Sequence, residues 1–249
     1  MDRIISGASF LVVCPGSPLL DPAVKGPGPP GTFGIMLAKA REQAQPQQQT
    51  QKPIDYSEEG RKLLARMGVQ PGRPTSGYNK LDALWSDPKT GGTIFVGNEQ
   101  AARVADAHVT HVVNCTDDIP NYKESSPGMS YLKFNVSYWQ SCGGSRDFRR
   151  KSDSEITEWL ESTVFPFVNG ALAKGENVLV HCLAGAHRAG TTGVLLLMHK
   201  TGLPAIEATK TAKQLRPAIN PISDFPQLLQ LYEANRTTPP PDPAAKVAE

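Results

Sequence analysis

His181-Cys182-Leu183-Ala184-Gly185-Ala186-His187-Arg188 follows the apolar run Val178-Leu179-Val180 and precedes a stretch, Gly190 to Met198, that is apolar nearly all round. Read physically, this is a buried strand, a seven-residue loop from Cys182 to Arg188, and a central helix. Backbone N–H groups that face inward at a helix N-terminus form a cradle of anion size. Arg188 adds a planar fork for two oxygens of a phosphate. The same positive surroundings favour the thiolate of Cys182, the form in which sulfur is a nucleophile. Gly185 stands where a Cβ is least welcome in a tightly curled turn. The chemistry suits a phosphate ester, with Cys182 attacking phosphorus. Leu183, Ala184, Gly185, Ala186 and His187 would line the phosphate site together with Arg188.

Outward from the loop, short β-rich runs alternate with amphipathic stretches, which indicates an α/β layout. The strand candidates are Ile94 to Val96, Val109 to Cys115, Tyr131 to Val136 and Asn177 to Val180. Helices are expected from Glu99 to His108 and from Ser152 onward, where Ser152-Asp153-Ser154-Glu155 reads as a capping box. That second helix turns Ile156, Leu160, Val164 and Val168 inward, with Pro166 kinking or interrupting it. Gly202 is placed to end the central helix and Pro204 to open the next. The last helix runs from about Asp224 to Asn235.

These residues resemble the active-site signature of the cysteine-dependent protein tyrosine phosphatase superfamily, and its dual-specificity branch in particular. Thr93-Ile94-Phe95-Val96-Gly97 with Ala101-Ala102 resembles that family's opening strand and turn, and Thr110-His111-Val112-Val113-Asn114 its second strand. Arg216-Pro217-Ala218-Ile219-Asn220-Pro221, with Phe225 and Leu228 to Glu233, is similar to its closing helix pair, so the likeness covers residues 91 to 235. The resemblance implies a three-layer α/β sandwich with a central mixed sheet and the loop at the sheet's C-terminal edge, where ligand sites of open α/β sheets lie. It implies hydrolysis through a phosphocysteine, of phosphotyrosine and also of phosphoserine or phosphothreonine. His181 would tune the thiol through hydrogen bonds without touching substrate, whereas His187 is read as facing solvent, a donor at the rim being the alternative. Cys115 is the implied disulfide partner of an oxidised Cys182, against the plainer reading of a small buried apolar residue.

Three positions depart from the family pattern. Ala189 replaces a hydroxyl that helps release the phosphocysteine, for which Thr191 or Thr192 could substitute. Ile222 stands where an asparagine is common. Ser137-Tyr138-Trp139 occupies the place of the expected general acid, so that role passes to Asp147, five residues ahead of the capping box, with Asp153 as rival. A glucan or phosphoinositide phosphatase of the same superfamily and a non-catalytic phosphate-binding pseudophosphatase are the competing readings.

Residues 15–34 are rich in Pro and Gly, residues 43–51 in Gln, and the stretch from Thr237 in Pro, compositions that do not support a packed core. The expected organisation is a largely disordered region over 1–75, a phosphatase domain over 76–236 and a disordered tail over 237–249. Ile54 to Met67 can form a helix, since Leu63, Leu64 and Met67 share a face. The net charge of +2 gives no ground for nucleic-acid binding, but Arg146, Arg149, Arg150 and Lys151 could form a basic rim that attracts phosphorylated protein. Four widely spaced cysteines, Cys14, Cys115, Cys142 and Cys182, argue against a zinc site or a disulfide scaffold. No cofactor and no stable membrane insertion are expected, the compartment is read as cytoplasmic or nuclear, and the oligomeric state stays open.

Overall fold

The computed structural model describes residues 54–69, 78–104, 108–144 and 149–236. Within them the elements run α1 (Tyr56–Arg66), β1 (Leu81–Ser86), β2 (Thr93–Gly97), α2 (Glu99–Val104), β3 (Val109–Asn114), β4 (Ser130–Lys133), a 3-10 segment (Val136–Ser141), α3 (Asp153–Ser162), α4 (Val164–Leu172), β5 (Asn177–His181), α5 (Arg188–Thr201), α6 (Ala205–Leu215) and α7 (Phe225–Asn235). The five strands form one mixed sheet in the order β1-β2-β5-β3-β4. β1 is antiparallel to β2, and the other pairings are parallel.

Strand periodicity divides the sheet into two faces. Ile94, Val96, Val113, Val178 and Val180 face the large core under α3 to α7, while Val112 and Leu179 face a smaller cluster with Ala101 and Ala102 of α2. The result is the expected three-layer sandwich with unequal outer layers. Val194, Leu195, Leu196, Leu197 and Met198 of α5 are all fully buried, each such side chain stabilising the fold by about 1.5–3 kcal/mol. Gly193 lets α5 approach the sheet, since a Cβ there would stand 2.6 Å from Val96 Cγ2. No described helix is long and apolar enough to cross a membrane.

Local signals set several boundaries. The capping box forms as written, with Ser152 accepting from the Glu155 amide and Glu155 accepting from the Ser152 amide. Gly202 closes α5 in the left-handed conformation and Pro204 caps α6. The break expected at Pro166 falls instead at Thr163, and Pro166 lies in the first turn of α4, where its missing N–H costs nothing.

Two elements depart from the sequence reading. β1, not the Thr93–Gly97 run, opens the sheet; its alternation is blurred by a bulge between Ala83 and Trp85. Its signal was the turn cluster Asp87-Pro88-Lys89-Thr90-Gly91-Gly92, which joins two apolar runs as a hairpin does. The second is α1, the helix read as possible over Ile54 to Met67, which goes beyond that reading by packing on the body of the fold. Asp55 caps it through the amides of Ser57 and Glu58. Tyr56 stacks on Phe225 at 4.7 Å between ring centroids and donates to Asp224 at 3.0 Å. The packed body therefore includes α1, ahead of the boundary drawn at residue 76.

Candidate active site

The loop Cys182–Arg188 leaves β5 at the sheet's C-terminal edge and runs into α5. Each carbonyl from Leu183 to Ala186 is drawn outward by a donor on another element. Leu183 O accepts from the Glu99 amide at 3.2 Å and Ala186 O from the Asn220 amide at 3.1 Å. Ala184 O accepts from the Tyr78 hydroxyl at 2.5 Å, and Gly185 O from Arg216 Nε at 2.9 Å. In a planar trans peptide the following N–H points the opposite way. Four outward carbonyls thus turn the amides of Ala184, Gly185, Ala186 and His187 toward the inside of the loop, above Cys182. Gly185 adopts φ +61°, and a Cβ there would collide with the Gly97 carbonyl and lie 2.8 Å from an Arg216 terminal nitrogen. This is an anion cradle with a sulfur at its base.

Cys182 is 3% exposed and is a free cysteine, not part of a disulfide. Arg188, 5% exposed, reaches the mouth of the cradle, where one terminal nitrogen donates to Ser57 Oγ at 3.0 Å and the other lies 3.7 Å from Asp118 Oδ1. Above it opens a pocket of about 420 Å³ lined by Asp55, Ser57, Asp117, Asp118, Ser137, Tyr138 and Arg188 among others. A second pocket, of about 690 Å³, shares Asp117, Asn135 and Tyr138 with the first and extends to Phe134 and Trp159, whose rings stack at 4.6 Å.

His181 is fully buried, and neither ring nitrogen finds a hydrogen-bond partner among the described residues. Burial, aided by the nearby Lys133 charge, brings its pKa down to about 4, so the ring is neutral near pH 7. His187 does not face solvent: it is 4% exposed, and its Nδ1 pairs with the Asn220 carbonyl at 2.7 Å. It ties the loop to the segment before α7, a constraint invisible to local sequence. Neither the Thr191 nor the Thr192 hydroxyl donates to Cys182 in this structure. Their hydroxyls donate to the His187 and Arg188 carbonyls at 2.7 and 3.1 Å, the usual back-bonding of such side chains in a helix.

The basic rim is also altered. Arg150 pairs with Asp153 at 2.6 Å and Lys151 with Glu155 at 3.1 Å, so both spend their charge on the first turn of α3. The mouth carries Asp55, Asp117 and Asp118 instead. Asp147 and Arg146 lie outside the described residues. Cys115 sits beside the base of the loop, its amide donating to the His181 carbonyl at 2.9 Å. Its thiol is aimed at Thr192 Oγ1 at 3.5 Å, and burial pushes its pKa up to about 12. Among the described residues no group of three or more His, Cys, Asp or Glu is arranged to hold a metal ion.

Sequence reasoning missed Tyr78, Asp82 and Arg216 as supports of the site. Arg216, 1% exposed, bonds the Gly185 and Ala184 carbonyls, the Asn79 carbonyl and Asp82, the last at 2.5 Å. It is a positioning residue for the cradle. The only hint was a lone arginine, Arg216, next to Pro217 at a helix end.

Comparison with known proteins bears on the family of the chain. The model of the dual specificity phosphatase catalytic domain matches residues 94–236. Dual specificity protein phosphatase Mpk3 of Drosophila melanogaster is 28% identical over 147 residues, covering 57% of this chain and 33% of that protein. Human dual specificity protein phosphatase 9 is 30% identical over 132 residues, covering 50% and 31%. Among solved structures, human DUSP28 aligns with 24% identity and a TM-score of 0.44, over 61% of this chain and 93% of that one. The chain spans about a third of these two curated relatives.

Proposed function

Because this chain belongs to the dual specificity phosphatase family, we propose that it hydrolyses phosphate monoesters on proteins, phosphotyrosine foremost and phosphoserine or phosphothreonine as well, through a phosphocysteine at Cys182. The observation that carries this reading is the outward commitment of the loop carbonyls, which by peptide planarity turns the N–H groups inward, in a loop that begins at a buried Cys182 and ends at Arg188. Cys182 Sγ attacks phosphorus while Arg188 and the loop amides hold the equatorial oxygens, where charge is redistributed in the transition state. The acidic mouth weighs against a polyphosphoinositide, whose extra phosphates would meet Asp55, Asp117 and Asp118. The intact Cys182 and Arg188 weigh against a pseudophosphatase.

Purified protein assayed in parallel on phosphopeptides, a phosphoinositide and phosphorylated glucan tests the substrate class. Hydrolysis of phosphotyrosyl peptide should vanish in Cys182→Ser and fall severely in Arg188→Lys, since an ammonium cannot reproduce the fork. Retained turnover in Cys182→Ser contradicts the mechanism.

A disulfide between Cys115 and an oxidised Cys182 is a further part of this proposal. The adjacency of Cys115 to the His181 carbonyl supports it, and the high pKa of the Cys115 thiol works against it. Peptide mapping after mild peroxide should recover the Cys115–Cys182 crosslink; progression of Cys182 to sulfinic acid without it rejects the disulfide.

A further inference from the structure

Hydrolysis of an unactivated phosphate ester needs a proton for the leaving oxygen, and Ser137-Tyr138-Trp139 occupies the place where the resemblance expected the acid. Ser137 lines the pocket above Arg188, and its hydroxyl is buried with no hydrogen-bond partner among the described residues. Two carboxylates from a different loop, Asp117 and Asp118, line the same pocket. They follow β3, and their loop is pinned from several sides. Asn114 donates to Ile119 O at 2.8 Å and accepts from the Thr116 amide and hydroxyl, Thr116 Oγ1 accepts from the Ile119 amide, and Lys133 Nζ donates to Ile119 O at 2.7 Å. The two aspartates are therefore held in place by residues of the sheet edge.

They are not equivalent. Asp117 Oδ2 accepts from Asn135 Nδ2 at 2.7 Å, away from the cradle. Asp118 reaches Arg188, with Oδ1 3.7 Å from one guanidinium nitrogen, and its Oδ2 accepts from the Ser57 hydroxyl at 3.0 Å. Ser57 in turn accepts from the other terminal nitrogen of Arg188 at 3.0 Å. The three groups close a ring at the mouth of the pocket above Arg188, and in an in-line displacement the leaving oxygen departs opposite the attacking sulfur.

We infer that Asp118 is the general acid of this site, supplied from the loop after β3 in place of the one missing from the Ser137-Tyr138-Trp139 stretch. The inference rests on the phosphatase reading above. In the first step Cys182 Sγ gives its electron pair to phosphorus. The bond from phosphorus to the ester oxygen breaks with its electrons on that oxygen, which takes the proton of the Asp118 carboxyl. In the second step the Asp118 carboxylate accepts a proton from water as the water oxygen attacks phosphorus, releasing orthophosphate and the Cys182 thiolate. Arg188, Asp55 and Asp117 are the other charged groups lining the pocket.

The test compares the full chain with Asp118→Asn on two aryl phosphates, one with a good leaving group and one with a poor one, across the pH range, with circular dichroism confirming the fold. The expected result is a loss of about a hundredfold in kcat on the poor leaving group, within the usual range for general acid catalysis, with a much smaller loss on the good one and a flattened alkaline limb. Equal losses on both esters, a wild-type profile in Asp118→Asn, or the leaving-group-dependent loss in Asp147→Asn or Asp153→Asn instead overturns the assignment. If the wild type hydrolyses both esters and Cys182→Ser does not, such a failure concerns Asp118 alone. If the wild type hydrolyses neither ester, the phosphatase reading and this inference both fall.

Discussion

The floor of the pocket and its mouth are built from different materials. Below, the loop from Leu183 to Ala186 hands every carbonyl to a donor from α2, Tyr78, Arg216 or Asn220, and Arg216 itself is buried on an ion pair with Asp82. Above, the ring of Arg188, Ser57 and Asp118 is made by side chains, and the Asp118 side chain remains 60% exposed. A buried backbone network fixes geometry because each partner lost leaves a polar group without compensation. A surface ring of side chains costs little to open, which suits groups that must exchange partners when substrate and water enter.

If this contrast is right, substitution at the floor should cost far more stability than substitution at the mouth. The largest effect on stability is expected for Gly185→Ala. The new Cβ meets the Gly97 carbonyl in a left-handed backbone conformation, so the loop must shift. Stability to urea should fall by about 2–4 kcal/mol, and kcat/KM by about a hundredfold through the displaced cradle. A Gly185→Ala variant with wild-type stability and rate would show that the loop is not held as described.

The smallest effect is expected for Ser57→Ala, which removes the hydroxyl shared by Arg188 and Asp118. Its stability should change by about 1 kcal/mol or less, and kcat/KM by no more than about tenfold. A loss as large as that of Gly185→Ala would mean that the mouth is as tightly coupled as the floor. Urea titration and steady-state kinetics of the two variants, measured side by side, sharpen the comparison directly.

The same division governs what could be read from the amino-acid sequence. Strand, cysteine, glycine, arginine and helix lie within one contiguous stretch around residues 178–198, so their chemistry was legible without knowing the fold. The capping box at Ser152 and the stop at Gly202 are equally local. The supports of the loop are not. Arg216 meets Asp82 across 134 residues of chain, and Arg188 meets Ser57 across 131. No spacing rule connects such positions. His187 was misread for that reason, since only the fold brings the Asn220 carbonyl to it. β1 was obscured by its bulge; the α1 helix was legible, but nothing local told that Tyr56 would pack on Phe225. The acid was sought on the loop before α3 because the family pattern pointed there, whereas Asp118 becomes a candidate only once β3 brings its loop beside Arg188.

The central claim, a sulfur nucleophile at the base of an anion cradle, is tested most directly by trapping the covalent intermediate. The full chain is mixed with an aryl phosphate, quenched within the first turnover, digested and mapped by mass spectrometry. The account predicts one phosphoryl group on Cys182, and none on that peptide in Cys182→Ser. A phosphoryl group on another residue, or steady release of orthophosphate by Cys182→Ser, would contradict it.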